Sequence, residues 1–173
     1  MRLRTRTWAD EREVSFREFA RQRAAPLHRS AYLLCGDWHL AEDLVQETLA
    51  KAYAQWHRVR NADSPQAYVR RILLNEARER WRRHEAPVPR TDAATDQPVP
   101  DWSDDIVRRA QLFDALLRLP ARQRATIVLR YFDGLTERET ATALGCGEGT
   151  VKSQTSRALA ALRKYLDRQE AKA

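Results

Sequence analysis

Four of the seven prolines of this 173-residue chain fall in one short segment, and their position limits the fold more than any other feature. They lie at positions 87, 89, 98 and 100, among Thr, Asp, Ala and Gln residues that have little apolar surface to bury. Proline lacks the backbone N–H that helices and sheets require, so residues 86–103 are predicted to form a flexible linker. The linker divides the chain into an N-terminal domain, 11–85, and a C-terminal domain, 104–169.

Both domains are predicted to be helical, because apolar residues recur at spacings of three and four and no sustained alternation indicates a strand. The predicted fold class is therefore all-α, with two small helical domains. Predicted helices in the first domain cover residues 14–34, 40–57 and 66–84, the last with Ser64 as N-cap and Pro65 at its first position. Those in the second cover residues 105–118, 121–132, 137–144 and 147–166.

The composition narrows the possible functions. The chain has 31 Lys and Arg against 24 Asp and Glu, and the resulting net charge of +7 favours polyanionic partners such as nucleic acid. Net charge alone does not distinguish nucleic-acid binding from ordinary solubility, which depends on where the charges lie. Cys35 and Cys146 match neither a disulfide framework nor metal-ligand spacing. Two cysteines without such a pattern are typical of a protein in the reducing cytoplasm. Neither a secretion signal nor a membrane span is predicted.

An enzyme is the least favoured class. Catalysis of nucleic-acid chemistry needs clustered carboxylates, a phosphate loop or a set of metal ligands. The four histidines and two cysteines do not combine into a set of metal ligands, and the glycines near position 147 lack the lysine of a phosphate loop. We therefore expect no catalytic residue, no metal site and no cofactor.

A helix-turn-helix is predicted near the C-terminus. Thr136 and Glu139 have the spacing of a capping box, which marks the start of a helix. That helix is expected to end at Gly145, and Cys146 and Gly147 leave room for only a tight turn before a long final helix. This layout is typical of proteins that place the second helix in a DNA groove.

The final helix has two distinct sides. Val151, Thr155, Ala158 and Leu162 share the side that we expect to pack on the preceding helices. The opposite side combines small residues with hydrogen-bond donors suited to base edges and phosphates. The DNA-binding residues predicted there are Gly149, Thr150, Lys152, Ser153, Ser156 and Arg157.

The second predicted helix presents an acidic surface. Its expected exposed residues are Leu40, Asp43, Leu44, Gln46 and Glu47. Leucines flanked by carboxylates on an outward side suit a protein partner that offers an apolar groove and basic residues. The alternative is that another helix covers the two leucines.

The third predicted helix carries a basic stripe. Arg71, Asn75, Arg78 and Arg82 follow one another at spacings of four, three and four, with Trp81 beside them. Such a stripe can follow phosphates, and an aromatic ring can stack on an unpaired base. Trp56 and Tyr68 are further stacking candidates, although single rings of this kind more often belong to the core.

The chain resembles the extracytoplasmic-function sigma factors, and within them the actinobacterial SigE-like group. Four ordered segments carry the resemblance. They are residues 41–48 (AEDLVQET), 64–75 (beginning SPQAYVRR), 119–124 (LPARQR), and Leu144-Gly145-Cys146 followed by residues 149–153 (GTVKS). Gly147, Glu148, Gln154 and Ser156 depart from many relatives, so the promoter sequence is not predicted.

The resemblance implies a role for each part of the chain. The first domain corresponds to sigma region 2, in which Asp43, Gln46 and Glu47 match the motif that docks on the beta-prime clamp helices of core RNA polymerase. The helix with the basic stripe corresponds to the part that recognises and melts the minus-ten element. The second domain corresponds to region 4, whose last helix recognises the minus-thirty-five element. The polymerase beta subunit is a further implied partner, and whether an anti-sigma factor holds the protein inactive stays open.

A stand-alone regulator is the main alternative. It would use the same helix-turn-helix and dimerise through the first domain on a palindromic site. It would leave the linker without a role and would not bind polymerase, so binding to core enzyme separates the two hypotheses.

Overall fold

The computed structural model describes residues 8–83 and 106–171, and the predicted linker 86–103 lies outside them. The described residues form α-helices with one π-helical turn and contain no strand, which confirms the predicted all-α class. The helices are α1 (Trp8–Cys35), α2 (Trp38–Ala54), α3 (Trp56–Arg60), α4 (Pro65–Arg83), α5 (Ile106–Leu117), α6 (Ala121–Ile127), α7 (Glu137–Leu144) and α8 (Glu148–Glu170).

The N-terminal module, residues 8–83, is built on contacts of α1 with α2 and of α2 with α4. Local side chains begin two of its helices. Ser64 accepts a hydrogen bond from the Ala67 amide at 3.2 Å, as the sequence predicts. Asp37, which is not among the predicted caps, accepts one from the Leu40 amide at 2.9 Å. The single helix predicted over residues 40–57 is wrong at its end, because the chain turns at Gln55 and restarts as α3.

The C-terminal module, residues 106–171, packs α8 against α5, α6 and α7. The helix predicted over residues 121–132 is α-helical only to Ile127, and Val128–Phe132 form the π-helical turn. Gly134 then takes a positive φ of 68°, a backbone conformation in which glycine avoids the steric cost of a Cβ. The predicted end of this helical segment at residue 132 is confirmed.

The two modules share one hydrophobic core. Helix α1 contacts α5, α6 and the π-helical turn, and α4 contacts α7. A continuous cluster of buried apolar side chains therefore extends from Leu27 in α1 to Leu162 in α8. The sequence predicts two domains but contains no local signal for this packing between them.

Candidate nucleic-acid interface

The turn before α8 has the geometry that the sequence predicts. The Thr136 hydroxyl accepts the Glu139 amide at 3.2 Å, while the Glu139 carboxylate accepts the Thr136 amide at 2.8 Å, so both halves of the capping box are present. Gly145 follows α7 with a φ of +62°. Hydrogen bonds from Gly145 N to Thr142 O and from Cys146 N to Ala141 O, at 3.3 and 3.0 Å, form a Schellman motif.

The two sides of α8 also follow the prediction. Val151 and Ala158 are fully buried and Leu162 is nearly so, which fixes α8 on the rest of its module. The outward side is exposed over two turns. The exposed residues are Gly149, Thr150, Lys152, Ser153, Ser156 and Arg157. All six DNA-binding candidates of this helix are therefore accessible to a groove.

An acidic residue that the sequence reasoning missed stands beside this surface. Lys152 Nζ lies 3.6 Å from a carboxylate oxygen of Glu137 at the start of α7. The Lys152 side chain is largely exposed and that of Glu137 is partly exposed, and an ion pair this open to solvent contributes little to stability. The carboxylate places a negative charge beside the ammonium group of Lys152.

The basic stripe on α4 is only partly accessible. Arg71, Asn75 and Arg82 are exposed, whereas Arg78 and Trp81 are half-buried under the C-terminal module. Arg82 pairs with Glu79, and hydrogen bonds from Arg82 and Arg83 lower the pKa of Glu79. The structure thus places the stripe on one helix but covers its centre.

The three aromatic candidates for base stacking differ in how deeply they are buried. Trp56 is 3% exposed and donates its indole N–H to the Ser15 hydroxyl at 2.8 Å, so it belongs to the core, which is the more frequent role of such a ring. Its ring packs edge-on to Phe16 within the core. Tyr68 is half-buried and donates to Gln55 Oε1 at 3.1 Å. Trp81, also half-buried, lies on the edge of the stripe as predicted.

The predicted acidic surface on α2 is exposed, except for one of its five residues. Leu40 is 47% exposed, and Asp43, Gln46 and Glu47 are exposed beside it. Leu44, expected to be exposed, is wholly buried. The reason is the helical phase, since Leu44 shares the inward side of α2 with Ala41, Val45 and Thr48.

Two features of this surface have no signal in the sequence. Trp38 is 39% exposed at the first turn of α2 and packs against the rings of His28 and Tyr32. Arg80 of α4 donates to a Glu47 carboxylate oxygen at 3.0 Å, so part of the acidic charge is already neutralised. Both depend on contacts between helices that are distant along the chain.

Within residues 8–83 and 106–171, no group of His, Cys, Asp and Glu side chains could hold a metal ion. Over the same ranges, no helix combines the length and the apolar character needed to cross a membrane.

Comparisons with known families agree with this architecture. Residues 19–86 match the family described as sigma-70 region 2, and residues 109–162 match the family described as sigma-70, region 4. The two matches lie in the two modules, in the order in which the sequence predicts them. A match to both regions does not favour a stand-alone regulator.

Individual relatives cover most of the chain. The RNA polymerase sigma-E factor of Streptomyces coelicolor is 38% identical over 88% of this chain and 86% of its own length. The ECF RNA polymerase sigma factor SigL of Mycobacterium tuberculosis is 34% identical over 84% and 85%, respectively.

A solved structure of a sigma factor is also similar. The sigma factor RpoE of Bartonella quintana, solved in complex with the anti-sigma factor NepR, matches with a TM-score of 0.71 and 30% identity over 88% of this chain and 97% of that one. The chain therefore belongs to the extracytoplasmic-function sigma factors of the sigma-70 family, which are not enzymes but bind core RNA polymerase and direct transcription initiation at specific promoters.

Proposed function

We propose that this sigma factor divides its work among three surfaces, each on a different helix. The outward side of α8 reads the minus-thirty-five element, the stripe on α4 follows the minus-ten region, and the acidic surface of α2 binds core polymerase. The boundaries proposed are those of the sequence analysis, with region 2 in residues 11–85, a linker in 86–103 and region 4 in 104–169.

The proposal depends most on the outward side of α8. Lys152 and Arg157 are exposed donors on a helix whose inward side is anchored by fully buried Val151 and Ala158. A rigidly held helix with exposed donors can present them to base edges at fixed positions, which direct readout in the major groove requires. Ser153 and Ser156 lie between them and can bond to either bases or phosphates.

For polymerase binding, we propose Leu40, Asp43, Gln46 and Glu47 as the contact residues. Leu44 supports this surface from the core rather than touching the partner, since it is fully buried. An exposed leucine among carboxylates suits a site that is apolar at its centre and basic around it. The proposed site is on the clamp helices of the beta-prime subunit, with the beta subunit as a second contact.

Two further proposals concern the cellular setting. Because its partner is RNA polymerase, we place the protein in the cytoplasm. An anti-sigma factor is a further proposed partner, supported by the similarity to a sigma factor that was solved with one bound. Binding of such an inhibitor can be tested by co-purification from the source organism.

The direct test is transcription in vitro. Core polymerase is incubated with this chain on genomic DNA fragments, and the 5′ ends of the transcripts are mapped. We expect start sites that share two upstream elements and that disappear when the chain is omitted. A chain that binds DNA fragments but leaves core polymerase without new start sites would contradict the proposed function.

A further inference from the structure

We propose that Glu137 is a second base-reading residue, which acts with Lys152 to recognise a single G·C pair of the minus-thirty-five element. The base-reading candidates predicted from the sequence all lie on α8, whereas Glu137 is the first residue of α7. The inference rests on the proposed function in one respect, the reading of this element by the outward side of α8. The position of the two side chains, their spacing and their chemistry all fit one base pair.

Both residues are attached to well-fixed parts of the helix-turn-helix. Glu137 directly follows Thr136, whose capping box with Glu139 fixes the first turn of α7. Lys152 directly follows Val151, which is fully buried. Because α7 and α8 also pack against each other, the backbone positions of Glu137 and Lys152 are fixed relative to one another. A carboxylate from α7 therefore stands beside the outward side of α8.

The two charged groups are close together but do not form a hydrogen bond. Lys152 Nζ lies 3.6 Å from a carboxylate oxygen of Glu137, which is longer than the about 2.7 to 3.2 Å of an N–H···O hydrogen bond. The ammonium group therefore keeps its donors, and the carboxylate its lone pairs, for a further partner. Glu139 in the same turn differs, because its carboxylate already accepts the Thr136 amide and hydroxyl at 2.8 and 2.7 Å.

A donor and an acceptor at this separation match the major-groove edge of a G·C pair. Guanine presents the acceptors N7 and O6 there, and cytosine presents the N4 amino donor next to O6. O6 and N4 are about 2.9 Å apart, because a Watson–Crick hydrogen bond joins them. An ammonium group on guanine and a carboxylate on cytosine therefore stand side by side, as Lys152 and Glu137 do.

The order of donor and acceptor discriminates against the other base pairs. In a C·G or an A·T pair this order is reversed, so the ammonium group would face an amino group and the carboxylate would face a carbonyl oxygen. A T·A pair keeps the order, but thymine offers the ammonium group one acceptor where guanine offers two. We therefore expect a preference for G·C, followed by T·A, with the guanine or thymine next to Lys152.

The same carboxylate lowers the affinity for other sequences. Where no amino group faces Glu137, its carboxylate gains no hydrogen bond from the base pair and still competes with DNA phosphates for Lys152. Specificity depends on the difference between the affinities for the preferred and the competing sequences. Both the bond gained on the preferred pair and the repulsion on other pairs therefore increase it.

The test uses holoenzyme reconstituted from core RNA polymerase and the full chain. A promoter library with a randomised minus-thirty-five element is selected for binding, and the base preference at each position is measured for the parent, Glu137→Ala and Lys152→Ala. Asp167→Ala removes an equal charge from the exposed far end of α8 and is the control. Circular dichroism confirms that each variant keeps its helices.

We expect one position at which the parent prefers G·C. Glu137→Ala and Lys152→Ala should each relax the preference at this same position by about fivefold or more, the lower range for a good base contact. Asp167→Ala should keep the preference of the parent.

Two results would overturn the proposal and leave the proposed function standing. In the first, Lys152→Ala relaxes one position, while Glu137→Ala raises the affinity equally for all sequences and changes no preference. In the second, the two variants relax different positions, so that they do not share a base pair. A Lys152→Ala holoenzyme with the preferences of the parent at every position would count against both the proposal and the assignment of base reading to Lys152.

Discussion

Lys152 on α8 faces Glu137 on α7, with 3.6 Å between the ammonium nitrogen and a carboxylate oxygen. The proposed DNA-reading cation therefore has a counter-charge within its own module. We expect a DNA phosphate that approaches Lys152 to compete with this carboxylate, so that Glu137 weakens binding.

The exposed side of α8 gives the first prediction. Lys152→Ala or Arg157→Ala should cost about 1 to 3 kcal/mol on the preferred promoter if the lost contact is a bidentate base contact. Each should relax the preference at one position of the minus-thirty-five element, as measured by selection of bound promoter sequences. Ser153→Ala and Ser156→Ala should have smaller effects. Equal loss of affinity on all sequences would show that these side chains only contact phosphates.

Glu137→Gln gives a second prediction on the same surface. Removing the carboxylate should raise the affinity for duplex DNA at low salt by less than about 1 kcal/mol, because the pair is exposed and screened. The gain should shrink as salt rises. Asp167→Asn, which removes an equal charge from the exposed far end of α8, is the control and should change binding less.

The acidic surface of α2 gives a third prediction. Asp43→Lys should lower the affinity for core polymerase by about 2 to 5 kcal/mol if the carboxylate is buried in the complex, and by less at its rim. Glu47→Lys should act in the same direction, but it also places a cation against Arg80. Glu18→Lys, at an exposed position of α1, controls for the change in net charge. Unchanged affinity in a titration with folded variants would contradict the assignment.

The stripe on α4 gives a fourth prediction. Arg82→Ala should weaken promoter opening, and the log–log salt slope should fall in magnitude by about 0.7 to 0.9 for one lost phosphate contact. Arg78→Ala should weaken opening as well, but in the free chain it also removes the contact with Leu144. Permanganate footprints and salt slopes identical to those of the parent would show that the stripe is only a solvated surface and does not contact DNA.

The buried anchor of α8 gives a fifth prediction. Val151→Asp puts an unpaired carboxylate at a fully buried position, which should cost at least about 3 kcal/mol of the 5 to 15 kcal/mol typical of a domain. We expect the C-terminal module to unfold. The N-terminal module then loses its packing against α5, α6 and α7 but keeps its own α1–α2 and α2–α4 contacts, so it should keep its polymerase affinity. Circular dichroism and a core-binding titration measure the two effects. Ala160→Asp, on the exposed side of the same helix, should be tolerated.

Much of the candidate site follows from local sequence. The capping box at Thr136, the left-handed Gly145 and the two sides of α8 depend on hydrogen bonds and spacings within a few residues. Such interactions form in the same way wherever the helix lies. The start of α4 at Ser64 belongs to the same class. For this reason, the predictions made from these residues agree with the structure.

Tertiary structure decided which of the candidate side chains are accessible. Leu40 and Leu44 are both expected from the sequence to be exposed, yet Leu44 is fully buried whereas Leu40 is 47% exposed. The centre of the α4 stripe is covered because α7 ends on it, at Arg78. Burial depends on which helix faces arrive from distant parts of the chain, and the hydrophobic effect that drives this packing has no direction that local spacing could encode.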